Sequence, residues 1–428
     1  STATSSNVGV QKFLTHEPDI VNIRGIRDHS KPVQEMNGAN VMSSVEMLIP
    51  MAVMHDDSTR VAMGVKQAGH VVATEVSSPS LISNGADEAI RFRLSSEYVV
   101  NADEDGKVIE YDDKSGMMVV QYKPFDAKPG KFRAFKLSQD VVKNSGGGIY
   151  FAKQLVSPLK VGDTFKKGDV LAYHDKFFTY SKLNGLCYNI GPLVRCVLHA
   201  TSEAYEDGGW LTESAAKDMA TSIVYKEDAQ LDRNATVADI LKIGDLVHVD
   251  DKLISFSSGT SDAQLNKLLS ILDDDTTSDL QRGKRAEHAG TIVDIIIYSQ
   301  VDPNDCSPSV KKLLTDYRTR IQRVSNVLDK YDKSDGIVKA GYMNRQPDTS
   351  VHDRYGKIKG IETDILIEFY IKHTYNISIG DKIVLYSANK NTISKVVPDD
   401  QAGWSEDNPD DPIQGAISPS PLSKRMIF

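Results

Sequence analysis

Only three cysteines, Cys187, Cys196 and Cys306, are spread through 428 residues, and no CxxC pair occurs among them. That scarcity excludes a disulfide-built scaffold and a four-cysteine zinc site. Long apolar runs are missing too: the longest, around Met47 to Met54, is broken by Pro50 and far too short to cross a bilayer. The first residues lack a basic segment followed by an apolar core, so no secretory signal is expected. The chain therefore reads as cytoplasmic, with no membrane partner. Basic side chains are the minority, 50 against 59 acidic, for a formal net charge of −9. Nucleic-acid binders usually declare themselves by a basic balance, so the bulk charge argues against that class. Phosphate loops, GxSxG elbows, HExxH helices and Gly-rich dinucleotide turns are absent, and the ten histidines show no metal-ligand spacing.

What is present is an ordinary globular composition, 40% hydrophobic and 25% charged, with length for two to four domains. Residues 1–40 read as an irregular lead-in and 41–72 as a helical segment ending in a polar motif. From about 76 to 260 short runs of Val, Ile, Tyr and Phe alternate with Asp-Gly, Ser-Gly and Gly-Asp turns, which predicts strands. Lys107–Tyr111 and Met117–Tyr122 form a hairpin by this reading. One turn pattern recurs, as Lys160-Val-Gly-Asp163, Lys242-Ile-Gly-Asp245 and Ile377-Ser-Ile-Gly-Asp381. In each, Gly supplies a positive φ and Asp bonds the backbone just before an apolar strand.

Two helices interrupt the β pattern. Ala263–Asp273 is a short candidate. Ser309–Tyr331 is longer and places Val310, Leu313, Leu314, Tyr317, Ile321, Val324, Leu328 and Tyr331 on one face, with Ser307 or Ser309 as cap. That face suits packing on its own domain first, or a surface for another subunit. Asp273-Asp274-Asp275 reads as a solvated loop and Gly146-Gly147-Gly148 as a flexible turn. The Pro-interrupted acidic stretch Asp399 to Gln414 reads as an exposed loop.

Four polar clusters carry the remaining chemistry. They are His55-Asp-Asp-Ser-Thr-Arg60 through Gly64, Tyr205-Glu206-Asp207-Gly-Gly-Trp210, Gly380-Asp381-Lys382 through Asn389-Lys390 to Lys395, and Ser418 through Lys424-Arg425-Met426. Taken singly, each fits a plain structural role: a capped helix end, a strand-end turn, a Lys-bearing hairpin, a basic tail. Two lysines eight residues apart beside a Gly-Asp turn also suit a polyphosphate or the end of a nucleic-acid strand, as does the forked guanidinium of Arg425.

In this order the clusters resemble the C-terminal half of the beta subunit of multisubunit DNA-directed RNA polymerase. Leu48-Ile49-Pro50 and Asp56-Asp57 to Gly64 resemble that family's LIPF…HDDANRALMG, and Tyr205-Glu206-Asp207 its GYNFEDS. Gly380 to Lys395 resembles GDKMAGRHGNKGVISK, and Ser418 to Met426 resembles NPLGVPSRM. Val161 to Ala172 is similar to the family's GDxVxKGDVLA hairpin. The similarity runs in register from about residue 43 onward, and the ordered set is more specific than any member.

The resemblance implies a mainly β with α (α+β) fold, with a double-psi β-barrel, barrel-sandwich hybrid hairpins and an inserted flap-like module. It implies a lead-in and fork-like segment at 1–75, a hybrid-binding and barrel region at 76–220, a flap-like insertion at 221–370 and a barrel segment at 371–428. Lys382 and Lys390 would lie by the RNA 3′ end and incoming nucleoside triphosphate, with Arg60 and Arg425 near the triphosphate. Glu206 and Asp207 would lie near the second of two Mg2+ ions. The magnesium ligands themselves are expected on a beta-prime-type partner, since no NADFDGD is found here, so the chain would not catalyse alone. Partners implied are an N-terminal beta piece, beta-prime pieces, DNA template, RNA product, and a promoter-specificity subunit at the flap-like region. The few cations that meet phosphate would converge from distant parts of an acidic chain.

The departures are specific. Tyr386-Ser387-Ala388 stands for the family's Arg-His-Gly, Asn391 for a Gly, and Ser423-Lys424 for Pro-Ser. The chain also lacks the family's long N-terminal half and its clamp region, which suggests a split beta subunit such as giant bacteriophages carry. Two other readings remain. Leu155 to Gly185, with His174-Asp175-Lys176, also resembles a lipoyl- or biotinyl-carrier hairpin, and a non-catalytic structural relative would keep the fold without the chemistry.

Overall fold

The computed structural model describes residues 15–16, 29–30, 32, 35, 37, 41–49, 64–65, 68, 70–126, 130–143, 150–182, 185–257, 282–299, 301–331, 364–385 and 389–420. Ala263–Asp273, Asp273–Asp275 and Gly146–Gly148 lie outside them. Strands dominate the described residues and helices are few, a β-rich α+β composition as expected from the sequence. The chain divides into two units: one comprises Ser1–Val99, Asp175–Thr221 and Tyr375–Phe428, the other Val100–His174 and Ser222–Thr374.

The second unit is built on a six-stranded sheet whose long members are Thr221–Leu231, Gly290–Ser299 and Ile365–Tyr375. Its middle strands are β-branched runs, and Ile292, Ile297, Ile365, Ile367, Phe369 and Ile371 are almost wholly buried. Each such side chain contributes about 1.5–3 kcal/mol by leaving water. A four-stranded sheet in the same unit contains Gly106–Asp112 and Met117–Tyr122, paired antiparallel with Lys107 opposite Gln121, which is the hairpin expected from the sequence.

The long helix runs from Pro308 to Tyr331. Ser307 precedes it: its hydroxyl accepts from the Val310 N–H at 3.3 Å, and Pro308 opens the first turn, where its missing donor costs nothing. The Ser309 hydroxyl is used elsewhere, accepting from Val237 N at 2.9 Å. Val310, Leu314 and Tyr317 bury into the core of the six-stranded sheet, with Leu313 and Ile321 against it. Val327 and Leu328 bury with Met117 and Val119 of the hairpin, and Val324 and Tyr331 pack alongside. The whole apolar stripe is thus covered by its own unit, so the face weighed as a subunit surface is consumed internally.

One turn organises both units. In all three turns expected from the sequence the glycine has positive φ, 98° at Gly162, 97° at Gly244 and 94° at Gly380. In each the Asp carboxylate accepts from the backbone N–H three residues earlier: Asp163 from Lys160 at 2.8 Å, Asp245 from Lys242 at 2.7 Å, Asp381 from Ser378 at 2.8 Å. Two more share this geometry, Lys166–Asp169 and His248–Asp251, each with a 2.7 Å bond to its Asp. In the last, Asp250 takes the glycine's place at φ 71°. A short acidic side chain tolerates that region better than most, which is why sequence alone passes over it.

Each turn then clips one residue, in a strand or just past its end, by both backbone groups. Gly162 N–H donates to Val108 O while Val108 N–H donates to Asp163 O, and the same exchange ties Gly168–Asp169 to Ala102, Gly244–Asp245 to Ile292, Asp250–Asp251 to Ala286 and Gly380–Asp381 to Ile393. All five clipped residues are at most 4% exposed. Within the second unit the turns come in tandem, six residues apart at Lys160/Lys166 and Lys242/His248, and their clipped residues are six apart in reverse order. The module in Val161–Ala172 is therefore used twice.

In the first unit, the stretch Asp399–Gln414 is exposed as expected but is not irregular: Trp404–Ser405 pairs antiparallel with Asn408–Pro412 as a small hairpin. Arg195 holds it, with Nη1 3.1 Å from Asp411 and Nε donating to Pro412 O at 3.0 Å. All three cysteines are free thiols.

Candidate functional site

The first unit's main sheet has five strands: β1 (Cys196–Leu198), β2 (Gly208–Thr212), β3 (Lys382–Leu385), β4 (Asn389–Val397) and β5 (Gly415–Ile417). Across the sheet they lie in the order β1, β5, β2, β4, β3. The β1–β5 and β2–β4 pairs are parallel, while β2–β5 and β3–β4 are antiparallel. Leu211, Ala215, Ile383 and Ile393 make its core.

The sheet explains where the two lysines point. Along β4 burial alternates strictly from Asn389 to Ser394: Asn389, Asn391 and Ile393 are buried, while Lys390, Thr392 and Ser394 are exposed. On β3 Lys382 is exposed and Ile383 buried. Lys382 stands opposite Thr392 and Lys390 opposite Val384, so both lysines lie on the solvent face as diagonal neighbours. Such neighbours are roughly 7–8 Å apart at the backbone, within reach for two long ammonium side chains. Like charges so placed repel one another, and an anion between them relieves that repulsion.

Glu206 and Asp207 form the turn that leads into β2. Gly208 is the partner of Thr392 in the parallel ladder, and Asp207 O accepts from Thr392 N–H at 2.7 Å. Thr392 thus sits between Lys382 on one side and the Glu-Asp turn on the other. The turn is closed by Gly208 N–H donating to Tyr205 O at 2.9 Å. A Cβ on Gly208 would lie 3.1 Å from Tyr205 O and 3.2 Å from Glu203 O, so the close approach needs glycine. Glu206 itself is exposed and holds φ 50°, a left-handed conformation that costs a non-glycine residue about 1–2 kcal/mol.

Other residues brace the turn. The Ser394 hydroxyl reaches both Glu203 O and Gly209 O, the latter at 3.0 Å. Lys395 Nζ lies 4.0 Å from Glu203. The Ser202 hydroxyl, which donates to Glu203 at 2.7 Å, holds that carboxyl below its ordinary value, with Lys395 adding a smaller pull. Asn391 is fully buried and its amide donates to Asn389 Oδ1 at 3.1 Å. The residue standing where the polymerase family has glycine is therefore an inward-facing amide. Serine hydroxyls carry no distinctive spacing, so sequence alone does not reveal this bracing.

Sequence comparison gives one distant relationship. No family model matches the chain. Among curated proteins it is similar to the DNA-directed RNA polymerase subunit beta of Mycoplasmopsis pulmonis (strain UAB CTIP), at 22% identity over 377 residues, 87% of this chain and 27% of that protein. The relationship is RNA polymerase beta-like. The chain spans about a quarter of that relative's length.

Of the six residues singled out from sequence, the structure places Lys382 and Lys390 on one sheet, with Glu206 and Asp207 in the turn that leads into its strand β2. Arg60 and Arg425 lie outside the described residues. Among the described residues no group of three or more His, Cys, Asp or Glu side chains is placed to hold a metal ion. Lys176, the residue a carrier domain would modify, is in an ion pair with Glu75 at 2.6 Å. No described helix is long and apolar enough to cross a membrane.

Proposed function

We propose that this chain is a beta-type subunit of a multisubunit DNA-dependent RNA polymerase, and that Lys382 and Lys390 hold the RNA 3′ end and the incoming nucleoside triphosphate. The observation that carries the reading is the shared solvent face of Lys382, Lys390 and Thr392, with the Glu206-Asp207 turn bonded to Thr392. The five-stranded mixed sheet supports a double-psi barrel.

Nucleotidyl transfer builds negative charge on the attacked phosphate and on the departing pyrophosphate. Ammonium groups fixed on a rigid hairpin stabilise that charge and keep the triphosphate aligned. Arg60 and Arg425 are assigned to the triphosphate, whose oxygens a guanidinium fork matches. Glu206 and Asp207 are assigned to the vicinity of the second of two magnesium ions, whose protein ligands are assigned to a beta-prime-type partner. Bound there, the metal would supply Lewis-acid stabilisation of phosphate oxygens.

The test is nucleotide addition by an assembly reconstituted with a partner chain bearing NADFDGD. Lys382→Ala and Lys390→Ala should each slow addition on the order of 10²-fold at saturating template. Wild-type rates from both variants would overturn the assignment.

A further inference from the structure

We propose that the solvent face of the long helix Pro308–Tyr331 is a second, sequence-independent contact for a polynucleotide backbone. It is argued from the helix alone and stands whether or not the lysine hairpin acts on nucleotides.

The helix is amphipathic, and its apolar stripe is already spent on its own unit. The opposite face lines an open groove of ≈ 490 Å³, among whose walls are Lys311, Thr315, Arg318, Thr319, Gln322 and Arg323. All six are exposed. At 1.5 Å per residue, the three cations spread along about 18 Å of helix.

Their charges are not neutralised by neighbours. Arg320, on the flank, lies 3.3 Å from Asp294, and Lys330 lies 2.6 Å from Glu110. Among the described residues Arg318 and Arg323 have no carboxylate partner, and Lys311 donates only to the neutral Asn304 amide, at 2.9 Å. The one carboxylate in the groove, Asp302, accepts from Asn304 N–H at 2.9 Å as the cap of the short turn before the helix. In a chain of net charge −9, this leaves a local row of unneutralised cations.

The chemistry of the lining selects the occupant. Arg, Lys, Thr, Gln and Asn are the side chains that make phosphate and sugar contacts to nucleic acid. A protein partner would want a desolvated apolar or aromatic anchor at the centre. The groove offers none, since its apolar lining residue, Pro303, is itself buried. No side chain in it is placed to stack on a base, so contact with the backbone is the mode that fits.

The experiment uses the 428-residue chain and a fluorescein-labelled 12-nucleotide oligouridylate, read by anisotropy from low to moderate salt, with an oligodeoxythymidylate of equal length as a second probe. Arg318→Glu with Arg323→Glu should weaken binding of both probes at least tenfold at low salt. The log-affinity against log-salt slope should become shallower by about 1.4, two phosphate contacts at 0.7 each. Thermal melting checks that the exposed substitutions leave the fold intact. Lys382→Ala with Lys390→Ala serves as the comparison, because a loss confined to that pair would place binding at the hairpin and overturn the proposal. Unchanged affinity and slope in the arginine variant would overturn it equally. So would loss of binding to an oligoglutamate probe with oligonucleotide binding intact, which would make the face a docking surface for acidic protein.

Discussion

Glu206 is where local conformation and chemistry conflict. In the four-residue turn closed by Gly208 N–H the second position, Glu206, has a positive φ, which glycine would adopt without strain. A glutamate there is strained, and strain kept at an exposed residue beside a cluster of charges is a signature of function rather than of folding. Glu206→Gly should therefore raise the stability of the chain by about 1 kcal/mol in urea unfolding. It should at the same time lower nucleotide addition in the assembled enzyme. A variant destabilised like an ordinary surface mutant would remove the strain argument. Retained activity would remove the functional one. Asp250, in the second unit, shows the contrast: its φ of 71° sits in a turn that clips Ala286, and Asp250→Gly should stabilise without touching addition.

At the scale of elements, the Gly-Asp turn is a part used repeatedly and given chemistry once. Four of its five copies clip residues of the second unit, Val108, Ala102, Ile292 and Ala286. The fifth clips Ile393 and leads directly into Lys382. Losing the Asp carboxylate leaves the turn's N–H without its partner, as loss of a helix cap does, at about 1 kcal/mol. Asp163→Ala, Asp245→Ala and Asp381→Ala should accordingly cost similar stability. Only Asp381→Ala should also raise the KM for nucleoside triphosphate, since only there does the turn fix where a lysine begins its strand. Equal KM values in all three would show that the turn does not position Lys382. Three of these turns were legible in the sequence because glycine and aspartate announce positive φ and side-chain bonding together. The copy at His248–Asp251 was not, since aspartate stands where glycine was looked for. The hairpin of Gly106–Asp112 and Met117–Tyr122 and the apolar stripe of the long helix were legible for the same reason, periodicity. The joining of β2 to β4 was not: it is a parallel pairing of strands some 180 residues apart, and no local pattern encodes which strand lies beside Lys390.

For the whole molecule, that same non-locality sets how the chain should respond to acid. Parts remote in sequence are tied by carboxylates, and two such ties lie in the second unit. Asp364 takes both forks of Arg233, each at 2.9 Å, and the Arg233 backbone N–H as well. Glu110 takes Lys330 Nζ at 2.6 Å together with the Tyr331 hydroxyl, pinning the end of the long helix to the hairpin it covers. The Arg233 guanidinium holds the Asp364 carboxyl below its ordinary 3.8, and Lys330 with Tyr331 holds Glu110 below 4.5. A carboxyl depressed in the folded state adds stability that is complete above its unfolded value and is lost as pH falls through the folded one. Both ties should therefore be intact at pH 6 and fail progressively below about pH 4, where the unfolded chain binds more protons than the folded chain. Urea midpoints measured from pH 6 to pH 3 should fall steeply over the last unit. In Asp364→Asn and Glu110→Gln the chain should begin less stable at pH 6 and then show a shallower fall, because each variant has one carboxyl fewer to protonate on unfolding. Parallel curves for the variants and the wild type would show that other carboxylates govern the acid response. The helix tie could then be probed separately, by the near-ultraviolet signal of Tyr331 packed against Phe132, whose ring centroids lie 5.0 Å apart. That signal should disappear with Glu110 protonation before the six-stranded sheet melts, since the sheet's buried isoleucines owe nothing to charge.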